Sequence, residues 1–278
     1  MINSRAALRL VAGPWLAVAL TAGLAACSST DEEEPYVERP VERIYEDATT
    51  AIDQEDFGDA ARLFDEVERQ HPYSQWATRA QVMAAFSHYQ ALEYDDAIIA
   101  LDRFIQLHPG SELTPYAYYL KALSYYEQIT DVRRDQRITE LALSALGEVV
   151  RRFPDTPYAR DASLKIDLTN DHLAGKEMEI GRYYLGQGHY NAAIGRFRTV
   201  VERYQTTSHV PEALHRLTEA YLALGIVDEA KAAAAVLGHN FPGSEWYIDS
   251  YALLVDANVR PERPGSGSWL SRAWNFVF

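Results

Sequence analysis

Ala60-Ala61-Arg62-Leu63-Phe64-Asp65-Glu66-Val67-Glu68-Arg69-Gln70-His71-Pro72-Tyr73-Ser74 closes one helix and prepares the next. Its apolar residues recur at three- and four-residue spacing, which is the period of a helix with one buried face. Pro72 cannot continue that helix, and the Ser74 hydroxyl can cap a following one. The same punctuation returns at Leu107-His108-Pro109-Gly110-Ser111, Arg152-Phe153-Pro154-Asp155-Thr156, Arg203-Tyr204-Gln205-Thr206-Thr207 and Asn240-Phe241-Pro242-Gly243-Ser244, with Gln205 the one departure from proline. Successive marks lie 37, 45, 51 and 37 residues apart. Upstream of most of them a small residue is followed four positions later by a second apolar one: Ala60/Phe64, Ala97/Leu101, Ala193/Phe197 and Ala230/Ala234.

Between the marks, Gln54-Glu55-Asp56-Phe57-Gly58, Leu92-Glu93-Tyr94, Gly186-Gln187-Gly188 and Leu224-Gly225-Ile226 fit turns inside helix hairpins. Few β-branched runs and no Asn-Gly or Asp-Gly pair argue for strands. The pattern resembles the tetratricopeptide repeat, where a small residue lets paired helices approach and a larger one wedges the next pair. The expected fold is all-α: a tetratricopeptide solenoid of about five helix pairs plus a capping helix near Glu245–Asn258. Two irregularities stand out. Thr130-Asp131-Val132-Arg133-Arg134-Asp135-Gln136-Arg137 is a polar insertion in the third pair. From Tyr158 to Leu185 no proline interrupts the pattern, which predicts one long helix unless Gly175 or Gly181 breaks it. Such a helix divides the array into an N-terminal half, 41–157 with repeats one to three, and a C-terminal half, 158–258 with repeats four, five and the cap.

The N-terminus has its own logic. Arg5 and Arg9, an apolar run from Leu10 to Leu20, and a small-residue exit from Gly23 to Ala26 make up a secretory signal over residues 1–26. Cys27, the single cysteine of the chain, stands at the exit, and Leu24-Ala25-Ala26-Cys27 resembles the bacterial lipobox. That resemblance implies a covalent lipid on Cys27, and Ser28 in place of aspartate implies the outer membrane. Residues 27–40, acidic and proline-bearing, read as a tether between lipid and fold. Removal of residues 1–26, which carry two arginines and no acid, takes the formal charge from −14 to −16. A surface that acidic argues against nucleic acid as a partner.

The sequence carries no catalytic constellation. His71 and His108 precede repeat-ending prolines and suit helix C-termini. His209 and His215 are six apart, the wrong spacing for two ligands on one helix face. Gly186-Gln187-Gly188 follows no strand, so it is not a phosphate loop. Gly265-Ser266-Gly267-Ser268 lies in a Pro/Gly/Ser linker and not on a nucleophile elbow. The chain is expected to be no enzyme, to hold no metal, and to need no cofactor beyond the lipid. What remains is surface. With the first helix of each pair on the concave face, Tyr45, Arg79, Val82, Phe86, Tyr89, Tyr116, Tyr119, Leu123 and Tyr126 fall towards it, an aromatic lining suited to extended peptides.

Three stretches carry a family. Arg151-Arg152-Phe153-Pro154-Asp155-Thr156-Pro157-Tyr158-Ala159-Arg160-Asp161-Ala162, Leu173-Ala174-Gly175-Lys176-Glu177 with Gly181-Arg182-Tyr183-Tyr184, and Tyr190-Asn191-Ala192-Ala193-Ile194-Gly195-Arg196-Phe197 resemble the BamD family of the β-barrel assembly machinery. The resemblance spans roughly Val41 to Asn258. It implies a periplasmic body, lipid-anchored to the outer membrane, whose C-terminal repeats dock on a BamA-like barrel subunit beside other Bam lipoproteins. Its N-terminal repeats would receive the C-terminal β-signal of unfolded outer-membrane proteins. Arg196 matches a basic position that the family turns towards BamA. An alternative is a tetratricopeptide lipoprotein of the Tol and peptidoglycan-division system, although Val41–Gln70 lacks the sustained heptads of a trimerising coiled coil. Residues 259–278 do not match the family core. Read with period 3.6, Trp269, Leu270, Ala273, Trp274 and Val277 form a helical stripe behind Ser268, the favoured reading. Read with period two, Trp274, Phe276 and Phe278 share a face like a β-signal and would occupy the peptide groove of their own or a neighbouring molecule.

Overall fold

Every repeat mark holds the backbone in one conformation. In the computed structural model, which describes residues 38–131 and 136–259, the residues before Pro72, Pro109, Pro154, Gln205 and Pro242 have φ between −132° and −125° and ψ between 46° and 57°. A proline disfavours the helical region for the residue before it, so the preceding helix stops there. Each of these residues still donates its N–H to the carbonyl four back, as His71 does to Val67 at 2.9 Å. Tyr204 adopts the same geometry ahead of Gln205 and donates to the Val200 carbonyl at 3.0 Å. The geometry of the mark is thus kept at Gln205 without a proline. Ser74 and Thr156 each accept a hydrogen bond from the N–H three residues on. Ser111 and Thr207 sit three residues before their helices, which begin at Thr114 and Val210.

Eleven helices result among the described residues: α1 Val41–Asp53, α2 Phe57–Gln70, α3 Gln75–Gln90, α4 Tyr94–Leu107, α5 Thr114–Tyr126, α6 Arg137–Arg152, α7 Pro157–Gly186, α8 Tyr190–Arg203, α9 Val210–Ala223, α10 Val227–Asn240 and α11 Glu245–Asp256. Sequence neighbours pack as antiparallel pairs, α1 with α2 through α9 with α10, and α11 rests on α9 and α10. This is the tetratricopeptide solenoid of five pairs and a further helix. The wedge positions are sealed: Ala60, Phe64, Ala97, Leu101, Ala193, Phe197 and Ala230 are fully buried, and Ala234 nearly so. Ala142 and Leu146 complete the series in the third pair, twelve and eight residues before Pro154, the same offsets as Ala60 and Phe64 from Pro72.

Helix α7 runs unbroken through 30 residues, about 45 Å at 1.5 Å per residue. Gly181 does not kink it. A methyl group there would overlap the Phe197 ring, so the glycine is a point of close approach between α7 and α8. The first turns of α7 pack with the third pair, through Tyr158, Ala162 and Ile166, and its last turns with the C-terminal core, through Ala174 and Met178. One helix thus belongs to both halves.

Candidate functional site

First helices of successive pairs touch: α1 meets α3, α3 meets α5, and α5 meets the start of α7. Their shared row is where the aromatic residues expected in a groove come together, in two groups. Tyr45 packs on Phe64 at 5.2 Å and on Trp76 at 4.8 Å, and burial pushes its hydroxyl pKa upward against the opposing pull of Arg79. Exposed Arg79 has no ion pair to a carboxylate among the described residues. With Trp76 and Leu113 it borders an open hollow of about 490 Å³.

The second group is larger. Tyr119 stacks on Tyr158 at 5.2 Å and donates its hydroxyl to Asp161 Oδ2 at 2.6 Å. Tyr116 lies 5.7 Å from the same Tyr158 ring. Tyr89 meets Tyr94 edge-on at 5.7 Å, and its hydroxyl is pushed up to about 12, first by burial and then by the Glu127 carboxylate. Tyr119 is raised for the corresponding reasons, burial and Asp161. Asp161 is held below its ordinary value by that Tyr119 hydroxyl and then by Lys165, whose ammonium lies 2.9 Å away and also sits 5.5 Å over the Tyr126 ring. Tyr45, Tyr89, Tyr116 and Tyr119, each raised first by burial, are neutral at physiological pH, half-buried, and able to donate hydrogen bonds. Phe86 is half-buried against the core beneath, while Val82 is 3% exposed and belongs to that core rather than to the lining.

Trp76, Tyr158, Asp161 and Lys165 were not anticipated from sequence. The last three follow one another along α7 at helical spacing, so carrying the first-helix row into the fourth pair would have found them. Arg196, on α8, is 42% exposed and donates to Glu177 Oε2 of α7 at 3.1 Å. It lies well apart in sequence from the tyrosine row, on a second helix rather than a first. For a metal ion, the described residues offer one compact group, His88, Glu93 and Asp96. His88 Nδ1 and Glu93 Oε2 are 2.8 Å apart across the turn at Leu92, a hydrogen-bond contact that brings these two together. Cys27 and residues 260–278 lie outside the described residues.

The model of the family described as "Outer membrane lipoprotein" matches residues 37–237. The chain is 53% identical over 247 residues to the outer membrane protein assembly factor BamD of Caulobacter vibrioides, covering 88% of this chain and 81% of that one. The chain belongs to the BamD family. The BamD of Rickettsia prowazekii is 46% identical over 83% of this chain and 92% of its own, and that of Neisseria meningitidis serogroup A is 32% identical over 85% and 94%. The region matched by the family model takes in the whole tyrosine row and Arg196 and ends within α10. Membership in BamD brings with it association with the outer membrane.

Proposed function

We propose that this chain is an outer-membrane protein assembly factor, a scaffold and not an enzyme, lipid-anchored through Cys27 with its body in the periplasm. Its tyrosine row receives the C-terminal β-signal of unfolded outer-membrane proteins, and its C-terminal repeats, with Arg196, hold a BamA-like barrel subunit of the same machinery. The observation that carries this reading is the convergence of Tyr89, Tyr116, Tyr119 and Tyr158 from three first helices. Rings with hydroxyl edges bind alternating aromatic residues by area and satisfy the peptide backbone by hydrogen bonds. Arg79, exposed beside Tyr45 and Trp76, is placed to meet a terminal carboxylate.

Titration with a labelled ten-residue peptide of alternating aromatic residues ending in free phenylalanine tests the groove. Tyr89→Ala with Tyr116→Ala should weaken binding at least tenfold, and Arg79→Gln should matter for the free acid and not for its amide. Arg196→Glu should leave the peptide affinity alone and reduce recovery of the barrel subunit from solubilised envelope. Unchanged peptide affinity in the double tyrosine variant would remove the groove from the reading. For the anchor, Cys27→Ser should release the protein into the soluble periplasm, and retention in the membrane fraction would count against lipidation.

A further inference from the structure

Helix α11 ends in a turn that the fold uses elsewhere. In four pairs one residue with positive φ (Glu55, Leu92, Gly188 or Gly225) joins the first helix to the second. The N–H after it returns to the carbonyl five residues back, as Ile226 does to Tyr221 at 2.9 Å. Asn258 has φ 55°, and Val259 donates to the Leu254 carbonyl at 2.8 Å. By its exit turn, α11 is the first helix of a sixth pair.

Counting back from the positive-φ residue, positions ten, seven and three meet the second helix of the pair. Tyr45, ten back, packs on Phe64; Gly181, seven back, abuts Phe197; Tyr89, three back, meets Tyr94. The position seven back is small and buried in all four pairs: Ala48, Ala85, Gly181 and Thr218. In α11 these positions hold Ile248, Tyr251 and Val255, which are 65%, 47% and 53% exposed. The face a second helix would cover is thus apolar and bare. With Tyr251 in place of a small residue, it also keeps a partner helix further off than the repeat spacing.

The second helices begin two residues after the positive-φ residue, at Phe57, Tyr94, Tyr190 and Val227. Here that place is Arg260, and Pro264, Gly265 and Gly267 forbid a helix through it. The next helix-patterned stretch is 268–278, with Trp269, Leu270, Ala273, Trp274 and Val277 on one side. Residues 260–267 reach up to about 26 Å when extended, more than the ~18 Å length of α11. Charge agrees: α11 carries Glu245, Asp249 and Asp256 with no basic residue, whereas 260–278 carries three arginines against one glutamate. The same acidity disfavours an anionic lipid surface as occupant. We propose that residues 268–278 of this chain fold as an amphipathic helix across Ile248, Tyr251 and Val255 and stand in for the second helix of the sixth pair. Tethering at an effective concentration near millimolar favours the chain's own segment over a second copy.

The test uses the full chain with Cys27→Ser, which leaves no native thiol. Tyr251→Cys with Ala273→Cys, oxidised at low micromolar concentration, should form a disulfide within one chain, since such a bond needs Cα atoms within about 7 Å. Tyr89→Cys with Ala273→Cys should not. A bond to residue 89 would put the segment in the tyrosine row, a bond between chains would make the occupant a second copy, and no bond would leave the face uncovered; each overturns the proposal. Independently, amide exchange at 248–256 should be at least tenfold slower in the Cys27→Ser chain than in the same chain terminated after Pro264. Equal rates overturn the proposal even if the disulfide forms, as does protection that appears only with lipid vesicles present.

Discussion

The first helices do different chemistry in the two parts of the molecule. On α3, α5 and the start of α7 they present tyrosines whose hydroxyls lean on Glu127 and Asp161. On the end of α7 and on α9 they present a charge ladder instead. Arg182 pairs with Glu179 at 3.1 Å and with Glu212 at 2.9 Å, and Arg216 pairs with Glu219 at 2.9 Å and lies 5.5 Å over the Trp246 ring. Beneath the ladder, close helix approach depends on Gly181 against Phe197 and Gly238 against Tyr247. The same repeat therefore yields an adaptable aromatic surface at one end and a tightly packed, self-paired one at the other. A surface whose charges are already paired has fewer of them left to meet another molecule, whereas a row of half-buried rings offers apolar area and hydroxyl donors.

The largest effect expected is in the packed end. Phe197→Ala should cost about 3–5 kcal/mol, the range for deleting a fully buried aromatic. Gly181→Ala should cost about 1–3 kcal/mol because the added methyl overlaps that ring. The two share one contact, so urea denaturation of the double variant should show clearly less than the summed loss. Additive losses would mean that α7 and α8 do not meet as described.

Most of the fold was legible because proline and small-residue marks act locally. The stop before Pro72 and the wedge at Ala60/Phe64 need no knowledge of the rest of the chain. The Gln205 mark was legible too, and Tyr204 keeps there the same backbone bond to the carbonyl four back that the proline marks make. Less of the site could be read. Tyr45, Tyr89, Tyr116 and Tyr119 were picked out by helical register, yet register alone does not separate lining from core, and Val82 shares theirs while lying buried. Tyr158 and Asp161 come from a pair assigned to the other half, so the row was not carried across that boundary to them, 39 and 42 residues beyond Tyr119. Arg196 was singled out by resemblance, and nothing in its spacing announced Glu177 as its partner.

Acid should separate the two regions in sequence. His215 is buried against Ser250, its Nδ1 2.9 Å from that hydroxyl, and burial pushes its pKa below 6.5. The unfolded chain then takes up this proton first, so stability is complete above about pH 6.5 and declines as pH falls below it. Asp161 is likewise lowered, from 3.8, by the Tyr119 hydroxyl and Lys165, so its contribution persists until pH falls below that value and through its folded pKa. Amide exchange should accelerate in α9 to α11 near pH 6 and in α5 and the start of α7 only near pH 3 to 4. His215→Gln should abolish the first step and leave the second. Simultaneous acceleration of both regions would mean that they open as one unit.

Salt offers a gentler separation. Glu212→Gln removes the carboxylate that accepts from Arg182 and lies 3.5 Å from Arg216 Nε, and should cost about 1 kcal/mol at low ionic strength, shrinking towards zero at 1 M salt. Tyr119→Phe should cost a similar ~1 kcal/mol, with little dependence on salt because what is lost is one short hydrogen bond. Matching salt dependence in the two variants would erase the distinction between ladder and row.

The smallest effect lies in the turns, which also differ between the two ends. Within the C-terminal pairs the positive-φ residue is Gly188 or Gly225, which adopt that conformation without steric penalty, whereas the first two pairs place Glu55 and Leu92 there. Leu92 has φ 64°, is 70% exposed, and so gains little packing to offset the clash of its Cβ with the backbone. Replacing it by glycine removes roughly 1 kcal/mol of strain and returns part of that as unfolded-chain entropy, leaving a net gain of a few tenths to about 1 kcal/mol. Gly225→Ala should move the other way by about 1 kcal/mol, since φ is 73° and alanine must enter the region that glycine occupies freely. Both changes touch exposed turns and no ring of the tyrosine row, so peptide affinity should stay constant while the melting temperatures part. A Leu92→Gly variant that melts lower would show that this leucine is held by a contact stronger than its exposure suggests, and that the N-terminal turns are tuned rather than strained.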